Sequence, residues 1–423
     1  MHFSPLTRRR FLSLAGTAAG SLLTRYAGFA HGSVQTASEL DDPIENGKRL
    51  AKAINSFGLD LHTQLVTDDK HTLFFSPFSI STALAMTSAG AKGATLDEMQ
   101  KVLRLPNNPH SCFRDLLSHL NTGLLTNTRG FELNTANALW AMKDYPWRKE
   151  FLDLTRDCYG TGVVETDFTR PESARQQINA WVEKKTHEKI KNLIPQGMID
   201  SLTRLVLTNA IYFKGDWASA FDEELTRTAP FTRIDGTKTA VPLMTQTAEF
   251  DYGELTAPMD RKAHKVQVLV LPYSSKEVSM WVYLPADPDF IDKLPHCLAN
   301  ADLGAEALRR REVQVSLPRF KAENEFSLVP TLTDLGMHAA FVKADFTGMH
   351  TSSEPLCIAA VLHKAFVEVN EKGTEAAAAT AVVMKRAIDQ PPKIFQADRP
   401  FLFTIRDNRT GTNLFMGRYN GTV

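Results

Sequence analysis

His187-Glu188 is the nearest that the 423-residue chain comes to a hydrolytic metal site. In an H-E-x-x-H helix two imidazoles one turn apart hold zinc and the glutamate activates water, but position 191 is Lys and the second ligand is missing. The twelve histidines are otherwise scattered without ligand spacing. No G-x-S-x-G elbow, Walker A loop or G-x-G-x-x-G turn occurs. The four cysteines, Cys112, Cys158, Cys297 and Cys357, form no C-x-x-C pair, which excludes zinc ribbons and thioredoxin-type exchange. They are also too few for a disulfide scaffold. Lys+Arg and Asp+Glu are both 48, so the formal net charge is zero and a whole-molecule basic field for nucleic acid is excluded. Arg309-Arg310-Arg311 reads as a solvated helix end or loop rather than a polyanion site. Nothing here supports a catalytic centre, a metal or a cofactor.

The informative residues lie between Glu371 and Met384. Glu375–Ala379 favours helix, Thr380–Val383 favours extended chain, Gly373 interrupts the strand before it, and Pro391-Pro392 precludes regular structure beyond. A mobile exposed loop follows from that conflict. Taken with a period of two, Thr374, Ala376, Ala378, Thr380, Val382 and Met384 share one face, small side chains first and apolar ones later. Glu375, Ala377, Ala379, Ala381 and Lys385 point the other way. Such a strand can slip between two existing strands and bury one face. The bland alternative is an Ala-rich surface helix or linker.

The elements around this segment are helical early and extended late. Leu50, Ile54, Phe57, Leu61 and Leu65 mark one helix face, Ser76-Pro77 caps a second helix, and a third spans about 172–192. Strands are expected at 204–213, 266–271, 278–284, around Val313–Leu317, at Ala365–Val369, and at 401–405 and 414–417, with turns at Pro272–Ser275 and Asp407–Thr412. There is no regular βαβ alternation, so the class is α+β. No repeat or linker divides residues 45–420, which read as one domain.

Residues 1–30 read as an export signal. Thr7-Arg8-Arg9-Arg10 precedes the mildly apolar run Phe11–Leu23 and the small-residue stretch Gly28-Phe29-Ala30. The paired arginines resemble a twin-arginine signal, which implies export of an already folded chain and no disulfide that the fold requires. Residues 31–44 read as a polar tether. No later run is long enough to span a bilayer, so an exported protein is expected, periplasmic or extracellular, free or tethered.

The segment from Glu371 resembles the hinge and reactive-centre loop of the serpin family. Six further stretches match in order: Phe75-Ser76-Pro77-Phe78-Ser79-Ile80, Leu207–Trp217, Val241-Pro242-Leu243-Met244, Leu317-Pro318-Arg319-Phe320, Leu362-His363-Lys364-Ala365 and Asp398-Arg399-Pro400-Phe401. The resemblance implies a serpin fold of eight or nine helices on three β-sheets, with the loop (about 371–395) exposed above the largest. It implies a monomeric suicide-substrate inhibitor, not an enzyme. A target serine or cysteine protease acylates itself on the loop, and the cleaved loop then inserts as an extra strand and carries the protease with it. A non-inhibitory serpin (carrier or chaperone) is the alternative, and an exported hydrolase a remote one. Small residues on the inserting face favour the inhibitor, because bulk or charge there obstructs burial in a packed sheet.

The same resemblance assigns roles residue by residue. Glu371, Gly373, Thr374, Glu375, Ala376, Ala377, Ala378, Ala379 and Thr380 form the hinge. Ser76, Ser79, Asn209 and His363, ordinary cap, turn or core residues on local grounds, form a hydrogen-bonded shutter. Trp217 matches the breach tryptophan, with Arg319 and Glu371 as an ion pair beside it, taken as a surface pair worth about 0–1 kcal/mol. Counting fourteen positions from Gly373 puts the reactive bond at Ala387–Ile388 and the target among elastase-like proteases. Arg386–Ala387 is the rival, because a trypsin-like pocket takes Arg386 strongly. The stretch resembling the polyanion-binding helix of some members, about 107–129, holds only Arg114 and Arg129, so no heparin-type cofactor is expected.

Overall fold

Ser76 shows how short-range chemistry starts an element here. Its side chain accepts the backbone N–H of Ser79 and Pro77 fills the first helical position, which satisfies one orphan donor and presets the backbone of the first turn. Asp42 and Pro43 do the same at the first helix, so Pro43 and Ile44, expected in a tether, already belong to the folded chain. The computed structural model describes residues 42–66, 71–121, 131–160, 162–259, 262–298, 307–374 and 391–421. The signal segment, most of the tether, Arg129, and the loop positions Glu375, Ala376, Ala377, Ala378, Ala379, Thr380, Arg386, Ala387 and Ile388 lie outside the described residues.

In chain order the elements are α1 (Pro43–Leu65), β1 (Leu73–Phe75), α2 (Pro77–Ser88), α3 (Gly93–Leu103), α4 (Pro109–Asn121), β2 (Phe131–Met142), α5 (Lys149–Tyr159), β3 (Val163–Thr166), α6 (Pro171–Lys185) and β4 (Leu205–Asp216). They continue with β5 (Arg227–Thr232), β6 (Lys238–Met259), β7 (Lys262–Pro272), β8 (Val278–Pro285), α7 (Leu294–Leu298), β9 (Arg309–Pro318), β10 (Phe320–Ser327), α8 (Val329–Asp334), α9 (Ala339–Val342), β11 (Val361–Val369), β12 (Gly373–Thr374), β13 (Lys393–Gln396), β14 (Phe401–Asp407) and β15 (Asn413–Tyr419). The α+β class holds, with nine helices among the described residues.

Hydrogen bonding gathers the strands into a six-stranded sheet, β10-β11-β12-β4-β2-β3, and a nine-stranded one, β1-β15-β14-β8-β7-β6-β9-β13 with β5 on β6. Two of the three expected sheets therefore run into one another. The cause is β6: its 22 residues pair with β5 at the start, with β9 in the middle and with β7 at the end. One face of β4 and β11 (Leu207, Ile211, Phe213, Val361, Ala365, Val367) joins the main core with the nine-stranded sheet. The other (Val206, Ala210, Leu362) is covered by α6 and by Ile190, Leu193 and Ile194 beyond it.

Two local expectations are corrected. The helix expected to reach 192 ends at Lys185, because Thr186 turns its hydroxyl back to the Val182 carbonyl (2.9 Å) and His187 and Glu188 adopt left-handed φ of 49° and 61°. Ile190 is buried all the same, held by its N–H to the Thr186 hydroxyl (3.2 Å). Arg309-Arg310-Arg311 opens β9 rather than ending a helix or forming a loop, and its side chains are exposed. The turn expected at Pro272–Ser275 does join β7 to β8, and Tyr273 within it is fully buried.

Candidate functional site

The hinge is where the six-stranded sheet is unfinished. β4 and β11 run parallel and pair directly from Leu207/Val361 to Tyr212/Phe366. Beyond that they diverge, and the chain leaving β11 turns back between them. Asn370 closes the turn: its N–H bonds the Gly373 carbonyl (2.8 Å), and its side-chain oxygen accepts the N–H groups of Lys372 (3.1 Å) and Gly373 (3.2 Å). Gly373 and Thr374 then form a two-residue strand antiparallel to both neighbours, Thr374 lying opposite Gly215 of β4 and Val369 of β11.

The fit at this wedge is close. A Cβ on Gly373 would lie 2.1 Å from the Gly215 carbonyl oxygen, so no side chain fits at this position. Thr374 is fully buried, and its hydroxyl lies 2.8 Å from that of Tyr273. Burial pushes the Tyr273 phenol up, so it is protonated, a donor or acceptor to Thr374.

Trp217, Arg319 and Glu371 meet around this point. Trp217 continues β4, stacks on Tyr273 (centroids 4.7 Å apart, planes at 14°), and donates its indole N–H to the Asn370 carbonyl (2.9 Å) and its backbone N–H to the Lys372 carbonyl (2.9 Å). Glu371 is buried, and Oε1 accepts the Thr226 hydroxyl at 2.8 Å and an Arg319 N–H at 3.4 Å. Its backbone carbonyl accepts the Phe221 N–H (2.7 Å). The Arg319 side chain is 52% exposed but the Glu371 side chain only 5%. The pair is therefore not the surface pair expected: removing Arg319 leaves a buried carboxylate with Thr226 alone.

Ser76, Ser79, Asn209 and His363 meet one strand-length lower, all fully buried. The Ser76 N–H donates to His363 Nε2 (3.0 Å), so Nδ1 carries the ring proton and faces Asn209 Oδ1, directly across the β4–β11 pairing. Asn209 donates to Asn137 Oδ1 (3.1 Å), which also accepts the Ser79 hydroxyl (2.7 Å), and the Ser76 hydroxyl donates to the Leu414 carbonyl (2.6 Å). The network ties the start of α2 to β2, β4, β11 and β15. Burial lowers the His363 pKa to about 3, so the ring is neutral.

Sequence reasoning missed Asn137, Tyr273, Thr226 and Asn370. Asn137 sits on β2, whose FELNTANALWAM run mixes Asn and Thr with small residues and carries no clean alternation. Nothing near Asn137 in the chain points to Ser79, 58 residues away. Tyr273 follows a proline and precedes two serines, which is turn chemistry; its burial comes from Trp217 and Phe213 packing on it. Among the described residues no group of three His, Cys, Asp or Glu is placed to hold a metal ion, and no helix is long and apolar enough to cross a membrane.

Comparison with known proteins supplies context for this geometry. A family model described as Serpin (serine protease inhibitor) matches residues 52–421. An uncharacterized serpin-like protein of Thermococcus kodakarensis is 40% identical over 388 residues, covering 89% of this chain and 87% of its own. The leukocyte elastase inhibitor of Homo sapiens is 39% identical over 389 residues, covering 88% and 99%. Among solved structures, native protease nexin-1 with heparin is similar at TM-score 0.76 and 32% identity, covering 90% of this chain and all of that one. Uncleaved ovalbumin is similar at TM-score 0.75 and 30% identity, covering 88% and 99%.

Proposed function

The chain belongs to the serpin family, and from that premise we propose that it is an irreversible suicide-substrate inhibitor of serine endopeptidases, with cysteine endopeptidases as a second target class. The protease nucleophile attacks a loop carbonyl, the peptide bond breaks, the new amine leaves, and the loop's N-terminal part remains on the protease as an acyl ester, or as a thioester where the nucleophile is cysteine. That part then inserts between β4 and β11, and the protease is displaced and deformed before water reaches the ester.

The observation that carries this reading is the wedge of Gly373 and Thr374, a strand already started in antiparallel register between two parallel strands. Carried forward in steps of two, the register sets Ala376 between Phe213 and Val367, Ala378 between Ile211 and Ala365, and Thr380 between Asn209 and His363. Small side chains meet a packed core, and a hydroxyl meets the polar pair that must part. Insertion replaces one parallel ladder with two antiparallel ones, which are the better pairing, and buries Val382 and Met384. Fourteen residues from Thr374 to Ala387 extend about 45 Å at about 3.3 Å each.

We place the reactive bond at Ala387–Ile388 by its spacing from Gly373, with Arg386–Ala387 as the rival. We further propose that residues 1–30 export the chain, that it acts as a monomer outside the cytoplasm, and that it needs no cofactor. The test is incubation with trypsin and with pancreatic elastase, followed by denaturing electrophoresis. A complex stable in SDS, with release of a small C-terminal fragment whose mass identifies the bond, supports the inhibitor. Loop cleavage without a complex points instead to a non-inhibitory serpin, and substrate turnover without either points to a hydrolase.

A further inference from the structure

Resting on that reading, we infer that Ile394, where the C-terminal end of the loop joins the edge strand β13, is the centre of a second contact for the target protease, away from the reactive bond. Ile394 is one of five large apolar side chains that stand exposed among the described residues, at 61%. Single exposed apolar residues are ordinary on a protein surface, so the argument rests on where this one sits and how it is held.

Ile394 pairs with Gln314 of β9, which pairs with Thr247 of β6, and Gln396 follows two positions on; all three are exposed and uncharged. An apolar centre with a polar rim, uncharged towards Gln314, Thr247 and Gln396 and charged at Lys393 and Glu254, is the arrangement of a protein interface, which keeps charge from its centre and carries it at the rim. The strand is also held in place. Gln267 donates to the Ile394 carbonyl (3.1 Å) and to the Tyr252 hydroxyl (2.8 Å), Tyr252 donates to Glu254 (2.7 Å), and Glu254 pairs with Lys393 at 3.5 Å. A contact ordered before binding loses little entropy on association.

Covalent length then identifies the occupant. Ala387 precedes Ile394 by seven residues, at most about 25 Å of extended chain. A protease catalytic domain of about 230 residues has a radius of gyration of about 17 Å, or about 45 Å across. A protease engaged on the Ala387–Ile388 or the Arg386–Ala387 bond therefore comes within its own width of Ile394. Leu202, 76% exposed, is a natural control: it precedes β4 at the end opposite Gly373, about 35 Å of strand away.

The experiment measures second-order rates of inhibition of trypsin and pancreatic elastase by the full chain and by Ile394→Ala, Ile394→Asp and Leu202→Ala. The contact requires association with at least one protease to slow about fivefold in Ile394→Ala and further in Ile394→Asp. The number of inhibitor molecules consumed per protease should stay unchanged, and Leu202→Ala should match the parent. Equal rates for the Ile394 variants overturn the inference, as does an equal loss in Leu202→Ala, or a change confined to the stoichiometry, which would place Ile394 in the insertion step. If the parent chain is cleaved without forming a complex, the inhibitor reading fails, but kcat/KM for loop cleavage still reads the contact: slower cleavage of the Ile394 variants upholds it and unchanged cleavage overturns it.

Discussion

Thr374 and His363 show how much depends on single side chains here. Thr374 is enclosed on all sides and bonded to Tyr273, so a guanidinium at this position must leave the core or block the strand behind it. Thr374→Arg should be cleaved by the target at an undiminished rate while the SDS-stable complex falls at least tenfold; an undiminished complex would refute insertion through this position. His363 is neutral because burial lowers its pKa to about 3, and the same holds for His62 on α1. In the unfolded chain both titrate near 6.5. Above that pH neither state binds a proton at these rings; below it the unfolded state does and the native state does not, so stability falls as pH drops from about 6.5 towards 3. The slope is about 1.4 kcal/mol per pH unit for each histidine. Melting temperatures between pH 7.5 and 5 should record it, and His363→Asn should flatten the profile; an unaltered slope would contradict the burial argument. Ser76 was legible from its cap chemistry, because a serine before proline bonds within its own turn. Its tie to His363 spans 287 residues and became visible in sequence only through the family resemblance.

At the scale of elements, function lies in the contrast between β11 and β12. The alternating Ala365, Val367 and Val369 identified β11 in sequence, but the strand ends at Val369 in the Asn370 turn, and Gly373, expected to interrupt it, opens β12 instead. What local propensity did not disclose is that the chain re-enters the sheet at once, because two residues of strand carry almost no propensity signal and the wedge is held by Trp217, Tyr273 and Gly215 from elsewhere. The same limit explains α6: a 3.6-residue period continued through Ile190, but left-handed His187 and Glu188 stop the helix while tertiary packing still buries Ile190. β2 was overlooked because its buried face accommodates Asn137, a polar residue made tolerable by its bonds to Asn209 and Ser79. If β4 and β11 must separate, a covalent tie between them must stop inhibition. Ile211 and Ala365 lie directly opposite one another, within the reach of a disulfide. Ile211→Cys/Ala365→Cys, once oxidised, should be cleaved as a substrate without forming a complex, and reduction should restore the complex. Inhibition by the oxidised form would mean that the strands need not part.

For the molecule as a whole, the claim is that the native sheet is incomplete and that the cleaved loop completes it. The α+β class, the order of helices before strands and the family were legible from composition, periodicity and motif order. The merging of two sheets through β6 was not, because no local signal distinguishes one 22-residue strand serving three neighbours from several shorter strands. An ordinary folded protein gains chain entropy when a loop is nicked, so it melts at the same temperature or lower. A chain whose nicked loop inserts exchanges the β4–β11 ladder for two, a net gain of one ladder of backbone hydrogen bonds at about 1 kcal/mol per bond, and gains the burial of Val382 and Met384. The direct measurement is the melting temperature of the intact chain against the same chain nicked once between Thr380 and Pro391 by a protease it does not trap. Completion of the sheet requires the nicked form to melt more than about 10 °C higher; equal or lower melting would contradict it.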